Sequence, residues 1–122
     1  MLWLGIGLAG AIGALARYAI GSWMGHHVSN TFPAGTFLVN VTGCFFFGLI
    51  WSLAQEERIS QDLRMILLAG FAGAYTTFST YIFDTVQLYG TESWRSLLLS
   101  LLGQLGLGIL AMVLGLRMGR NF

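Results

Sequence analysis

From Ser96 to Leu116 the chain reads SLLLSLLGQLGLGILAMVLGL, twenty-one residues without one Asp, Glu, Lys or Arg. A helix needs about 20 mostly apolar residues to cross a hydrocarbon core of about 30 Å, so this stretch is long enough to span a bilayer. Similar stretches lie upstream: no charged residue falls between Arg17 and Glu56, and none from Met65 to Phe83. The 122 residues are 56% hydrophobic and 9% charged, and lysine is absent. A soluble fold of this size leaves much of itself exposed and would have to coat that surface with apolar side chains, which aggregate. Lipid is the solvent this composition demands, and the fold class it dictates is an all-α integral membrane protein.

Four spans follow, at about residues 2–24, 34–54, 63–83 and 94–116, forming one transmembrane domain over residues 1–122. The connections between them run from Gly25 to Pro33 with the only proline, from Gln55 to Asp62 and from Asp84 to Ser93. Links this short make successive helices antiparallel neighbours. The first apolar run starts at Leu2 with no basic segment before it and is too long for the core of a signal peptide, so it reads as a retained span. Four spans leave both termini on one side. Arg58, Arg64, Arg117 and Arg120 fall on that side against Arg17 and Arg95 on the other. A four-to-two bias favours termini inside and also suits a chain that inserts in both orientations. The single cysteine, Cys44, excludes an intramolecular disulfide and reads as a small packed hydrophobe. A net charge of +1 without a basic cluster gives nucleic-acid binding no footing.

Seventeen glycines in a membrane chain imply close helix contact, because small residues let backbones approach where lipid supplies no hydrophobic force between helices. Ala9 and Gly13, Gly10 and Ala14, Ala69 and Gly73, and Gly115 and Gly119 all have the four-residue spacing of such contacts. Four helices alone rarely enclose a polar path, which points to an oligomer, most simply a dimer.

Polar groups at membrane depth are costly unless they face protein or water, so each is a functional candidate. Asn40 stands among Phe37, Leu38, Val39 and Val41; its carboxamide either bonds another helix or lines a path. Thr36 and Thr42 can satisfy themselves on their own helix backbone. The third span reads Gly70-Phe71-Ala72-Gly73-Ala74-Tyr75-Thr76-Thr77-Phe78-Ser79-Thr80-Tyr81. Two glycines followed by four hydroxyls make a poor continuous helix, since glycine costs roughly 1 kcal/mol against alanine in a helix interior. A break is expected there, with freed carbonyls available to other partners; close packing on glycine is the competing account. Phe78 and Tyr81 share a helix face and are either core or a pair of electropositive ring edges along an anion path. Ser96, Ser100 and Gln104 repeat every four residues, as a polar track or as bonds to neighbouring helices. Arg17 either snorkels to the interface or stands at a vestibule that attracts anions. Asp84, just after the third apolar run, is placed to cap or line the same vestibule. His26 and His27 read as loop residues. No nucleophile–base set or metal-ligand spacing argues for an enzyme.

Three segments together resemble the CrcB/Fluc family of fluoride channels: Gly10-x-x-Gly13-Ala14-x-x-Arg17-Tyr18, Pro33-x-Gly35-Thr36-Phe37-x-Val39-Asn40-x-x-Gly43, and Gly70-Phe71-x-Gly73-x-x-Thr76-Thr77-Phe78-Ser79-Thr80. The resemblance covers nearly the whole chain, including its length, four spans and short loops. It implies a passive, fluoride-selective channel in the bacterial inner membrane that exports fluoride from the cytoplasm. It implies an antiparallel homodimer of one dual-topology chain, with a broken third helix in each subunit and two pathways. On this chain the family's pathway positions fall on Asn40, Phe78 and Tyr81, with Ser79, Thr80, Ser100 and Gln104 beside them and Arg17 at the vestibule. One structural sodium ion at the dimer centre is expected on the backbone carbonyls of Gly73 and Thr76. The partners are thus fluoride, lipid and a second copy of the chain. Where the family usually has phenylalanine this chain has Tyr81, whose hydroxyl either bonds the ion, blocks the path or turns away. The main rival is a small four-span multidrug transporter, which would want a membrane-embedded carboxylate that the first span does not offer.

Overall fold

A computed structural model of the chain describes residues 1–28, 32–90 and 94–122. The described residues form helices and no strands. Helix α1 spans Leu2–His27 and α2 spans Ala34–Gln55. The third crossing is composite: α3 (Gln61–Met65), a π-helical segment (Ile66–Ala72), α4 (Gly73–Tyr75) and α5 (Phe78–Tyr89), with α6 (Trp94–Arg120) completing the chain. Leu2–His27, Ala34–Gln55, Gln61–Tyr89 and Trp94–Arg120 are each long and apolar enough to cross a membrane.

The crossings fall where the charge-free runs place them, but the helices overrun those runs at their polar ends. Asp84 and the residues after it to Tyr89 are helical, so that connection is shorter than expected. His26 and His27 are likewise not loop residues: both belong to the last turn of α1. The physical reason is local. Nδ1 of His27 lies 2.8 Å from the Trp23 carbonyl oxygen and its ring stacks on Trp23 at 4.9 Å, two contacts one turn apart that suit a helical last turn. The parts of the expected connections over residues 29–31 and 91–93 lie outside the described residues.

Packing follows the small residues, and it interleaves the crossings. The most extensive pairing is between α2 and α6. A Cβ on Gly115 would come within 2.8 Å of the Leu49 amide nitrogen, and one on Gly119 within 2.9 Å of the Leu49 carbonyl oxygen. Only hydrogen fits between these backbones, and dispersion rather than a solvent effect holds them. Helix α1 packs chiefly on the π-helical segment and α4. There Gly70 abuts Ile6 and Ala9, 2.7 Å and 3.0 Å from a hypothetical Cβ, and Gly13 abuts the Phe71 carbonyl. Of the four small-residue pairs, Ala9/Gly13 and Gly115/Gly119 thus work within the chain. Ala69 and Gly73 instead face outward and are exposed.

The Gly115→Ala variant is expected to lose about 1–3 kcal/mol through overpacking. Gly7→Ala, where an added Cβ meets nothing within 4 Å, should be neutral or gain up to about 1 kcal/mol in helix propensity. Thermal unfolding of the two purified variants in the same detergent checks the contrast.

Candidate functional site

The third crossing is broken at Thr76 and Thr77, whose backbones are extended (φ −85°, ψ 159° and φ −151°, ψ 118°). A break strands carbonyls before it and amides after it, and in a bilayer each stranded group needs a partner. The residues around the break supply several. Thr77 caps α5, its hydroxyl oxygen accepting from the Thr80 amide at 3.2 Å while donating to Thr80 Oγ1 at 3.0 Å. Ser79 Oγ lies 3.3 Å from the same hydroxyl.

Asn40 on α2 faces the break. Its Oδ1 accepts from the Thr77 amide at 2.9 Å and its Nδ2 donates to the Thr77 carbonyl at 3.1 Å. This paired contact fixes the orientation of the carboxamide, since a backbone N–H only donates and a C=O only accepts. The second hydrogen of Nδ2 goes to Gln104 Oε1 on α6 at 2.7 Å. Gln104 in turn donates from Nε2 to Ser100 Oγ at 3.4 Å, at the long end of hydrogen-bond geometry. Gln104 and Ser100 are buried, Ser100 completely. A single chain of hydrogen bonds therefore runs from the break in the third crossing through α2 into α6.

Phe78 and Tyr81 lie on the same face of α5, with ring centroids 6.0 Å apart and planes tilted by 56°. Phe78 is 74% exposed. Tyr81 is buried, and its hydroxyl donates to the Leu101 carbonyl at 3.1 Å. The hydroxyl that separates this residue from phenylalanine is thus turned onto the α6 backbone, leaving the ring to line the site. Asn40, Gly73, Thr76, Phe78, Tyr81 and Gln104 all border one cavity of about 330 Å³, whose remaining wall includes Gly43, Cys44, Phe47 and Leu68. Ser79, Thr80 and Ser100 are not among the lining residues; Ser79 and Thr80 meet the hydroxyl of Thr77, which does line the cavity, and Ser100 bonds Gln104.

The break also frees carbonyls. In an unbroken helix the Thr77 amide would bond the Gly73 carbonyl and the Thr80 amide the Thr76 carbonyl. Here those amides go to Asn40 and to the Thr77 side chain. Oxygens released in this way are the hard donors a group 1 or group 2 cation takes. Thr76 itself keeps its amide and hydroxyl on the Ala72 carbonyl, at 3.0 Å and 2.9 Å.

Arg17 lies deeper than the sequence spans imply. Because α1 continues to His27, Arg17 stands ten residues, about 15 Å, from that helix end, and its Nε is buried without a hydrogen-bond partner among the described residues. Thr42 bonds its own helix at Leu38 O (2.7 Å) as expected, and also meets Tyr75 Oη at 2.9 Å. Thr36 departs from expectation. It donates to Asp84 Oδ2 at 2.6 Å, tying the start of α2 to the middle of α5; an anionic acceptor within reach outbids the local carbonyl. Sequence reasoning passed over Thr77 as an organiser of the site. The signal for it was present, in a threonine three residues before Thr80 at the start of a helical run.

A family model described as "CrcB-like protein, Camphor Resistance (CrcB)" matches residues 4–116. The chain belongs to this family. Among curated CrcB-like relatives, a protein of Nitratidesulfovibrio vulgaris named fluoride-specific ion channel FluC is 48% identical over 117 residues, 94% of each chain. One of Nitrosococcus oceani with the same name is 44% identical, covering 90% of this chain and 89% of its own. A third, from Desulforapulum autotrophicum and again so named, is 41% identical over 94% of this chain and 93% of its own.

Removing the Asn40 carboxamide strips the Thr77 amide of its partner and the Thr77 carbonyl of one of two donors, because a helix N-cap carbonyl also takes the first intrahelical bond. Removing the Tyr81 hydroxyl, by contrast, removes one donor from a carbonyl inside a helix. Asn40→Ala is therefore expected to cost about 2 kcal/mol or more and Tyr81→Phe about 1 kcal/mol or less. Unfolding midpoints of the two variants in detergent read out the difference.

Proposed function

We propose that this CrcB-like chain is a subunit of a fluoride-selective passive channel that drains fluoride from the cytoplasm. The observation that carries the reading is the cavity at the helix break, bordered by carboxamides and aromatic rings with no charged side chain among its lining residues. The 48% identity to a protein named as a fluoride-specific channel supports the same ion.

Fluoride holds its water tightly, so a selective pore must replace that shell with hydrogen-bond donors along the path. The carboxamides of Asn40 and Gln104, the hydroxyls of Ser79, Thr80 and Ser100, and the ring edges of Phe78 and Tyr81 share that task. Ring edges carry partial positive charge and hold an anion without the deep trap that a lysine would make, so the ion can enter and leave. Arg17 raises the anion concentration at the vestibule. Hydrogen fluoride crosses the membrane neutral and dissociates inside, after which the membrane potential drives the anion out at about 2.3 kcal/mol per charge per 100 mV.

The functional unit of this reading is an antiparallel homodimer of dual-topology subunits. Phe78 at 74% exposure and Gly73, both bordering the cavity, leave one side of it open within a single subunit, and the outward-facing Ala69 and Gly73 suit a close helix contact with a second copy. Two copies would bring the freed carbonyls of Gly73 and Thr76 together as the site of one central sodium ion. When bound, that ion supplies fixed positive charge that pins the two breaks against each other. Nothing among the described residues favours the multidrug-transporter alternative: no carboxylate lines the cavity, and Asp84 on α5 is held by Thr36.

Fluoride efflux from liposomes holding the purified protein tests the reading. Wild type is expected to release fluoride rapidly and chloride at the background rate, and Asn40→Asp, which places a carboxylate where a donor stood, to cut fluoride efflux at least tenfold. Wild-type dimers that release no fluoride would overturn the proposal. Replacing sodium by a bulky organic cation on both sides should slow efflux in proportion to sodium lost; undiminished flux would remove sodium from the scheme and leave the channel in place.

A further inference from the structure

The hydrogen-bond accounting around Asn40 leaves no donor for an anion. A carboxamide nitrogen has two hydrogens; one is on the Thr77 carbonyl and the other on Gln104 Oε1. The atom that faces Asn40 Nδ2 is thus an oxygen, at 2.7 Å, a compact acceptor in the position where a desolvated fluoride would take the same hydrogen. Held in this way, Gln104 competes with the ion.

The surroundings of Gln104 offer a way out. Its other end, Nε2, donates to Ser100 Oγ, and a hydroxyl both donates and accepts. Turning the Gln104 carboxamide by half a turn about its last side-chain bond exchanges oxygen and nitrogen in place. Ser100 then donates to Oε1 instead of accepting from Nε2. Nε2 comes to face Asn40 Nδ2, and two N–H groups that repel one another without a guest converge on one anion. The terminal torsion of glutamine is broad and roughly two-fold, so both orientations are accessible rotamers. Asn40 cannot make the same turn, because the amide and carbonyl of Thr77 clamp it.

We propose that Gln104 is a fluoride-operated carboxamide switch: its oxygen seals the Asn40 donor when the site is free, and its nitrogen becomes the second donor when fluoride arrives. This deepens the channel reading and rests on it. Selectivity follows from the pairing, since an anion must be small enough to bridge two neighbouring carboxamide nitrogens and must accept strongly enough to replace the hydrogen bond between Asn40 and Gln104. Chloride, larger and a weaker acceptor, does neither well. Gln104 is accordingly a specificity-determining residue, and Ser100 is a positioning residue whose hydroxyl balances the hydrogen bonds in both states.

Two measurements test this together. The first follows the side-chain NH2 resonances of Asn40 and Gln104 in 15N-labelled wild-type protein in detergent, titrated with sodium fluoride and separately with sodium chloride. Both residues are expected to shift with fluoride and neither with chloride. The second is liposome efflux for wild type, Gln104→Met and Gln104→Glu. Both substitutions remove the donor and should lower fluoride efflux tenfold or more, with chloride release no lower than in wild type. If fluoride shifts Asn40 and leaves Gln104 unmoved, or if Gln104→Met conducts fluoride as well as wild type, the switch is wrong while the channel reading stands. If wild type neither conducts fluoride nor shifts at either residue, the channel reading fails and the switch with it. Should the variants not fold, the wild-type titration alone decides.

Discussion

Everything in this molecule turns on two residues whose backbone is not helical inside a membrane crossing. Thr76 and Thr77 are extended, and the groups they set loose cannot turn to water. The Asn40 carboxamide meets the obligation by imitating a strand of backbone, accepting from one Thr77 group and donating to the other. Thr77 meets more of it by capping the helix that follows. What remains, the carbonyls of Gly73 and Thr76, is left as hard oxygen donors. The break is thus incompletely balanced, and the same arrangement places Phe78 and Tyr81 on the first turn beyond it.

The rest of the fold keeps that break in register. Helices α2 and α6 approach so closely at Gly115 and Gly119 that their backbones act as one slab, and this slab carries Asn40, Gln104 and Ser100. The opposite wall is α5, fastened to the slab at its two levels by Tyr81 on the Leu101 carbonyl and by Asp84 on Thr36. The Tyr81 hydroxyl therefore serves as a fastening, turned onto the α6 backbone.

Much of this was legible in the sequence, for physical reasons. Charge-free length located four crossings because lipid penalises charge steeply, and Asn40 stood out because a carboxamide amid Phe37, Leu38 and Val41 needs a reason to be there. The hydroxyl-rich run after Gly73 announced the break. Several features were not legible. A seven-residue π-helical segment over Ile66–Ala72 packs against α1 at Gly70, and no local pattern in the sequence marks it. The helical ends at His27 and Tyr89 lie beyond the expected spans, and hydropathy says little about where a helix stops. Thr36 was misjudged because threonine in a helix ordinarily bonds its own backbone, and its partner Asp84 is 48 residues away. Which hydrogens of Asn40 are spent is a property of Gln104, Thr77 and Asn40 together.

The pairing of the helices has a consequence for how the chain comes into being. The main partner of α1 is the third crossing and the main partner of α2 is α6, so neighbours in sequence are not the principal neighbours in space. As the chain emerges from the ribosome, the first two crossings enter the bilayer with their deepest grooves still facing lipid. The Gly48 groove on α2 stays unfilled until the last crossing has been delivered. The α2–α6 pairing can therefore form only last, whereas α1 can meet the third crossing before the final helix is made.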